Sequence, residues 1–292
     1  MEKKATFIIP AYNEADNLRV LLPEWIKYCK ENDSSLVVIN DGSKDETKEL
    51  LEALLPSSML KVIHHKVNRG YGAALKTGVK AAETEIIITI DADGQHDITE
   101  VKKLLKEFIE NDADMVIGSR KYLKRENLYR SIGKFIIHRL IKILFVTTIA
   151  DINSGLKIFK GELGKKYVHI CPNSMAFSDI FVLTFINQGN LVLESPITVY
   201  DRLSGRSTIS TRTAFDTVWE ILNIAMFFNP LKVFMPSIII FISVGLLWGI
   251  PIMFSGRGLS VGASFLILIG IIFLFLALIA EQVSLIIKSK LE

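Results

Sequence analysis

The chain has 292 residues, 50% hydrophobic and 22% charged, with 34 basic and 31 acidic side chains and a mean hydropathy of +0.36. That length is ample for a buried core, and a net charge of +3 is too small to argue by itself for a nucleic-acid partner. Between Val233 and Ala280 the only charged residue is Arg257, which excludes a disordered chain, a disulfide scaffold and a wholly soluble enzyme. Cys29 and Cys171 are far apart and read as reduced thiols, neither a disulfide framework nor a metal cluster.

The N-terminus offers only the short apolar run Phe7–Ile9 before polar residues. A secretory signal needs roughly 7–15 apolar residues there, so the first domain is expected on the cytoplasmic side. Residues 1–120 then alternate apolar runs with helix-like stretches. The runs are Thr6–Pro10, Leu36–Asn40, Leu60–His64, Glu85–Ile90 and Met115–Gly118. They are short, rich in Ile and Val and not alternating, as strands buried on both faces should be. Ser43 with Glu46 reads as a capping box, and Asp97 with Glu100 imitates one. Strand–helix repetition predicts a mostly parallel sheet with helices on both sides, whose ligands bind at the carboxyl ends of the strands. Asn13, Glu14, Asp41, Asp91 and Asp93 all follow strands directly.

Within residues 128–149, Lys134, His138 and Lys142 share one helical stripe and apolar residues cover much of the rest. That suits a helix lying in a membrane interface, its lysine stems reaching toward head groups. The same pattern fits a core helix with one solvated side, and the apolar spans downstream favour lipid. Residues 213–232 form a second amphipathic candidate, with Phe215, Trp219, Leu222, Met226 and Phe227 on one side. Val233–Phe254 and Ala263–Ile287 are each long enough to cross roughly 30 Å of hydrocarbon, and the link Ser255–Gly262 makes them a hairpin. Lys232, Lys288 and Lys290 flank the hairpin and Arg257 alone sits in its turn, so both ends are expected in the cytoplasm. Gly245 and Gly249 match a close-packing motif, and Glu281 reads as a snorkelling or helix–helix residue.

The strongest chemical signal is Asp91-Ala92-Asp93-Gly94-Gln95, directly after a strand. Two carboxylates two apart at a strand end can reach one hard divalent cation, which in turn bridges phosphate oxygens. Three segments precede it in order: Phe7–Glu14 (FIIPAYNE), Val38–Thr47 (VINDGSKDET) and Asn68–Leu75 (NRGYGAAL). The last is a Gly-rich turn opening a helix, able to approach a phosphate-bearing ligand closely.

Together these segments resemble glycosyltransferase family 2, with its GT-A fold. The resemblance implies a Rossmann-like, mostly parallel catalytic domain over residues 1–212, a juxtamembrane helix over 213–232 and a transmembrane hairpin over 233–292. It implies that Pro10, Tyr12, Asn13, Glu14, Asp41, Gly42, Ser43, Gly70 and Lys76 bind a nucleotide-sugar donor, with Pro10, Tyr12, Glu14 and Asp41 at the nucleoside. Asp91, Ala92, Asp93 and Gln95 fall at the diphosphate, and Asp91, Asp93 and Gln95 at a divalent metal, Mg²⁺ or Mn²⁺. Asn40 departs from the family's common Asp-Asp pair, leaving Asp41 to serve alone.

Later segments narrow the resemblance. Gly118-Ser119-Arg120, Asp151 to Lys157 (DINSGLK), Ser195–Thr198 (SPIT) and Asp201 to Ser207 (DRLSGRS) follow in sequence, ahead of the hairpin. The series looks like the polyprenyl-phosphate glycosyltransferases, relatives of dolichol-phosphate mannose synthase. That implies inverting, metal-dependent transfer from a UDP- or GDP-sugar to undecaprenyl or dolichyl phosphate, with no nucleic acid involved, and a homo-oligomer, a tetramer in some relatives. Asp93 and Arg120 are the expected catalytic residues. A lipid phosphate is already anionic, so it needs cations to hold it and no base to deprotonate it. Arg120, Arg130, Lys134, Ser154, Arg202 and Arg206 are the candidates for that task. Thr208 stands where the family commonly has Lys, with Arg206 the other source of charge. His96 reads as a supporting residue, and His64 and His65 end a strand with no assigned role. A processive polysaccharide synthase would carry a Q-x-x-R-W motif, absent here. The remaining alternatives are a family 2 enzyme with a non-phosphate acceptor and a nucleotide-sugar-binding scaffold without catalysis.

Overall fold

The computed structural model describes residues 4–55, 58–119, 149, 151–198, 219, 222–223 and 225–288. The chain divides into two units, one holding the sheet and the other the C-terminal hairpin.

The first unit begins with five strands where the apolar runs predict them: β1 (Ala5–Ala11), β2 (Ser35–Asn40), β3 (Leu60–His64), β4 (Ile86–Thr89) and β5 (Met115–Ser119). Two more, β6 (Lys157–Lys160) and β7 (Val192–Pro196), complete a seven-stranded sheet in the order β3-β2-β1-β4-β6-β5-β7. β6 runs antiparallel to both β4 and β5; the other pairings are parallel. The parallel strands β1, β2 and β4 are buried on both faces, which accounts for their unbroken Ile and Val runs. β7 is an edge strand, where Pro196 removes no ladder bond that a neighbour needs.

One face of the sheet is covered by α1 (Ala15–Glu31), α2 (Thr47–Leu54) and α4 (Ile98–Glu110). In α1, Leu18, Leu21, Leu22, Trp25, Tyr28 and Cys29 recur at helical spacing and are buried. Trp25 and Tyr28 meet Phe7 of β1 at 5.3 and 5.7 Å between ring centroids. The other face carries α3 (Tyr71–Ala81), α5 (Gly161–Tyr167) and α6 (Phe177–Asn187). There Gly78 lies flush on Ile8 and Ile39, while Phe159 packs edge-on against Phe181 and Phe185. Of the two capping readings, Asp97 accepts from the Glu100 amide at 3.0 Å as expected. Ser43 does not cap α2, which starts at Thr47; its hydroxyl instead accepts from the Asn13 amide. The β1–α1 connection and the β2–α2 loop claim each other's donors, so a box within one loop gives way to a link between two.

In the second unit, α7 (Pro230–Phe254) and α8 (Val261–Lys288) are apolar helices of 25 and 28 residues joined by a short turn. They approach closely because glycines face the partner helix. A Cβ on Gly245 would lie 2.6 Å from Ile267, one on Gly249 2.9 Å from Ala263, and one on Gly270 2.5 Å from Ile242. The Gly245–Gly249 pair, the sequence's sole pointer to self-association, is therefore used within the hairpin. The expected juxtamembrane helix does not run through residue 232. Its helical residues end at Phe228, Asn229 leaves the helical backbone conformation (φ −145°) and Pro230 opens α7 in the first-turn position that proline favours. Ser284 donates its hydroxyl to the Phe227 carbonyl, tying α8 to the residues before that break.

Candidate active site

The strand order reverses between β1 and β4, since β1 continues to β2 and β3 while β4 continues to β6. Loops leaving the carboxyl ends of strands on either side of such a reversal frame a crevice. Three of those loops, after β1, β2 and β4, carry the sequence motifs, and the turn before α3 joins them.

The loop after β1 is tied to the loop after β2. Asn13 adopts a left-handed backbone (φ 56°); its amide donates to Ser43 Oγ at 2.9 Å and its side-chain oxygen accepts from the Lys44 amide at 2.8 Å. The Glu14 amide donates to Thr47 Oγ1, and the Glu14 carboxylate accepts from the Asn17 side-chain amide. Pro10 is a buried residue of β1 and Tyr12 presents its ring to solvent, 41% exposed.

Asp41 is 3% exposed and its carboxylate is heavily engaged. Oδ1 accepts from the Arg69 amide at 3.0 Å and Oδ2 from the Gly70 amide at 2.8 Å. Oδ1 also meets His65 Nδ1 at 2.5 Å. Gly42 (φ 69°) admits the turn before α3: a Cβ there would lie 2.4 Å from the Val67 carbonyl carbon and 2.5 Å from the Asn68 nitrogen. Asn40 does not take over the place of a second aspartate. Its side chain accepts from the Ser43 amide and pairs with His64 Nδ1.

The Asp91–Gln95 segment leaves β4 in the crevice. Asp93 is 7% exposed and accepts from the Gln95 amide at 3.2 Å; Ala92 is buried beside it. Asp91 accepts from the Tyr71 hydroxyl at 2.9 Å and lies flat against Gly155, whose absent Cβ would sit 2.0 Å from Asp91 Oδ2. Burial, and then the Asp91 charge, push the Tyr71 phenol well above its ordinary pKa, so it keeps its proton and donates. The electrostatic field of Asp93 also reaches that hydroxyl. Thr89 donates to the Gly155 carbonyl at 2.9 Å, pinning the loop to β4.

Lys76, on α3, donates to Asn173 Oδ1 at 2.8 Å, and burial lowers its ammonium below the usual lysine value. Ser154 is fully buried, with its Oγ accepting from the Leu156 amide and its carbonyl from Lys157 Nζ. It shapes the turn that carries Gly155. Arg120, Arg130, Lys134, Arg202 and Arg206 lie outside the described residues, as does the predicted interfacial helix over 128–149. Cys29 and Cys171 are buried, and burial pushes the Cys29 thiol up to about 12 and Cys171 higher still, so neither is a nucleophile.

Among the described residues no three His, Cys, Asp or Glu side chains converge on a metal. Two carboxylates and an amide nevertheless suit a hard cation that completes its shell with water and phosphate oxygens. Tyr71 and Gly155 lie inside quoted motifs without a role read from spacing, and His65, Thr77 and Asn173 lie outside those motifs. Their partners lie on other loops, so only the fold brings them together.

Comparison with known proteins bears on the family and the fold. The chain matches Glycosyl transferase family 2 over residues 6–175 and the GtrB C-terminal hairpin over residues 229–286. It is 30% identical to a dolichyl-phosphate beta-glucosyltransferase of Dictyostelium discoideum, over 54% of this chain and 54% of that protein. It is 26% identical to an undecaprenyl-phosphate 4-deoxy-4-formamido-L-arabinose transferase of Photorhabdus laumondii, over 75% of this chain and 67% of the other. The chain thus spans about half the length of the dolichyl-phosphate relative. Its fold is similar to that of glucosyl-3-phosphoglycerate synthase from Mycobacterium tuberculosis, solved with Mn²⁺, UDP-glucose and phosphoglyceric acid. The TM-score is 0.60 at 17% identity, covering 76% of this chain and 80% of the other. With the aspartate pair at the strand-order reversal, the GT-A sheet and the matched hairpin, the chain belongs to glycosyltransferase family 2.

Proposed function

We propose that this enzyme transfers a sugar from a uridine-diphosphate sugar to a polyprenyl phosphate at a membrane surface, with inversion at the anomeric carbon. The observation that carries the reading is the Asp91/Asp93 pair just beyond β4, Asp91 half-buried and Asp93 buried, in a chain whose α7 and α8 are apolar and long enough to span a bilayer. The named relatives that use lipid phosphate acceptors support the acceptor class. The fold neighbour solved with UDP-glucose supports the nucleotide.

In this reading the crevice between the β1, β2 and β4 loops holds the donor. Tyr12 and the Asn13–Ser43 link line the nucleoside end, with Pro10, Glu14, Asp41 and Gly42 holding its floor. Gly70 brings the start of α3 near the diphosphate, where amides at a helix N-terminus favour negative charge. Lys76, partly desolvated and held by the neutral Asn173 amide, supplies a cation for the same group. Asp91, Asp93 and Gln95 are the side chains that would hold Mg²⁺ or Mn²⁺, which when bound neutralises the charge that develops on the departing diphosphate.

Tyr71 fixes the Asp91 carboxylate by donating to one of its oxygens. Tyr71→Phe is expected to weaken Mn²⁺ binding by about tenfold, the loss of one hydrogen bond to a charged group, as read by titration of free Mn²⁺. An unchanged Mn²⁺ constant would show that Asp91 needs no such support.

The attacking group is a phosphate oxygen, already anionic, so the site needs cations and not a general base. Arg120, Arg130, Lys134, Arg202 and Arg206 are the proposed acceptor residues, Arg being suited to bidentate phosphate contacts. On this account both ends of the hairpin lie in the cytoplasm, a reading that the lysines flanking it support. Incubating the purified chain with Mn²⁺, undecaprenyl phosphate and labelled UDP- and GDP-sugars tests the donor class. Label transfer from a UDP-sugar alone is expected; transfer from a GDP-sugar alone would overturn the nucleotide assignment.

A further inference from the structure

His65 closes β3's loop and has a nearly buried side chain, 5% exposed, against an Asp41 side chain at 4%. Its two ring nitrogens face different elements. Nδ1 meets Asp41 Oδ1 at 2.5 Å, just beyond β2, and Nε2 meets Thr77 Oγ1 at 2.9 Å, on α3. The direction of the second contact is fixed by its neighbour. Thr77 has one hydroxyl proton and donates it to the Ala73 carbonyl at 3.0 Å, so the ring must donate to Thr77 from Nε2. At Nδ1 a nitrogen and a carboxylate oxygen 2.5 Å apart need a proton between them. His65 and Asp41 therefore share one proton while the ring holds another, and the pair is neutral as a unit.

What the pair holds is the turn that opens α3. Asp41 receives the Arg69 and Gly70 amides. Gly70, at φ 98°, is pressed on its other side against the Asn173 carbonyl, 2.5 Å from where a Cβ would be. The turn thus has little room, and its amides point where the Asp41 carboxylate directs them. Taking His65 away leaves a buried carboxylate short of one partner, a state the chain relieves by moving Asp41 or admitting water.

We propose that His65 is a positioning residue for the nucleotide end of the donor site: by sharing a proton with Asp41 and donating to Thr77, it aims the carboxylate that sets the Arg69–Gly70 turn. This rests on the donor-site reading above. The test uses the full chain in detergent with UDP and Mn²⁺ as probe, binding read by calorimetry and folding by thermal melting. His65→Ala is expected to weaken UDP binding by about tenfold or more. His65→Gln, which restores an N–H toward Asp41, is expected to recover most of it, and Thr77→Val, which leaves Asp41 untouched, to cost about threefold.

A folded His65→Ala chain that binds UDP like the unmodified protein overturns the role of His65. If that variant does not fold, Thr77→Val and the unmodified protein decide. ¹⁵N NMR of histidine-labelled unmodified protein should show a protonated Nε2 on His65 and a strongly downfield proton bridging to Asp41. A lone-pair Nε2 overturns the hydrogen-bond directions and the proposal with them. Failure of the unmodified chain to bind UDP overturns the donor-site reading itself, an outcome distinct from either result on His65.

Discussion

Asp93→Ala is expected to lower sugar transfer by at least about a thousandfold, about 4 kcal/mol of transition-state stabilisation, while the chain folds as before. Asp93 is 7% exposed and accepts from the Gln95 amide at 3.2 Å, among other interactions. It lies beyond the last residue of β4 and outside the hydrophobic cluster under the sheet, so a neutral side chain there removes a charge without opening that cluster. Initial transfer rates and a thermal melt on the same preparation separate the two effects. Activity above a few per cent of normal would show that the aspartate pair does not serve the diphosphate.

Gly155→Ala is the second large effect, and it acts on Asp91 from behind. The added methyl would fall 2.0 Å from Asp91 Oδ2 and 2.3 Å from its carboxyl carbon. Since Thr89 holds the Gly155 carbonyl to β4, the loop cannot retreat and the carboxylate must swing away from Tyr71. A loss of about a hundredfold in transfer is expected, misplacement of a site group by about 1 Å being enough for that, with a raised apparent Mn²⁺ constant. Gly189 provides the contrast: unlike Gly155 it has a positive φ (75°), and a Cβ there meets nothing within 4 Å. Gly189→Ala should strain the backbone by about 1–2 kcal/mol and leave the rate alone. Equal rates for Gly155→Ala and the unmodified chain would mean that the seat of Asp91 is not needed for turnover.

Where a strand is buried on both faces, as β1, β2, β4 and β5 are, its composition declares it. β3 also stands where its apolar run predicts, but as a half-exposed edge strand and not one buried on both faces. β6 and β7 are harder to see. Lys157–Lys160 is a four-residue strand bracketed by lysines, and Val192–Pro196 carries Glu194 and a proline. Both owe their conformation to the neighbours they pair with. The Asp97 cap is legible because it is local, whereas Ser43 bonds to a loop 30 residues away and so departs from its local pattern. The site divides in the same way. Asp91, Asp93, Gln95 and the Gly70 turn stand out as motifs, their spacing being that of one loop. His65, Thr77, Tyr71 and Gly155 act across loops, and their roles emerge only when β2, β3, β4 and α3 are assembled. The hairpin is readable from hydropathy, while the start of α7 at Pro230 is set by the helix break at Asn229, which hydropathy does not mark.

The central claim is transfer of a sugar onto a lipid phosphate, and the composition of the product tests it most directly. The full chain, with Mn²⁺, undecaprenyl phosphate and UDP-sugars labelled in the sugar, is assayed with and without EDTA, and the organic-phase product is analysed for phosphate per sugar. The account predicts a labelled lipid with one phosphate per sugar, formed only without chelator. Label that stays in the aqueous phase or enters polymer, or a lipid product with two phosphates per sugar, would contradict it.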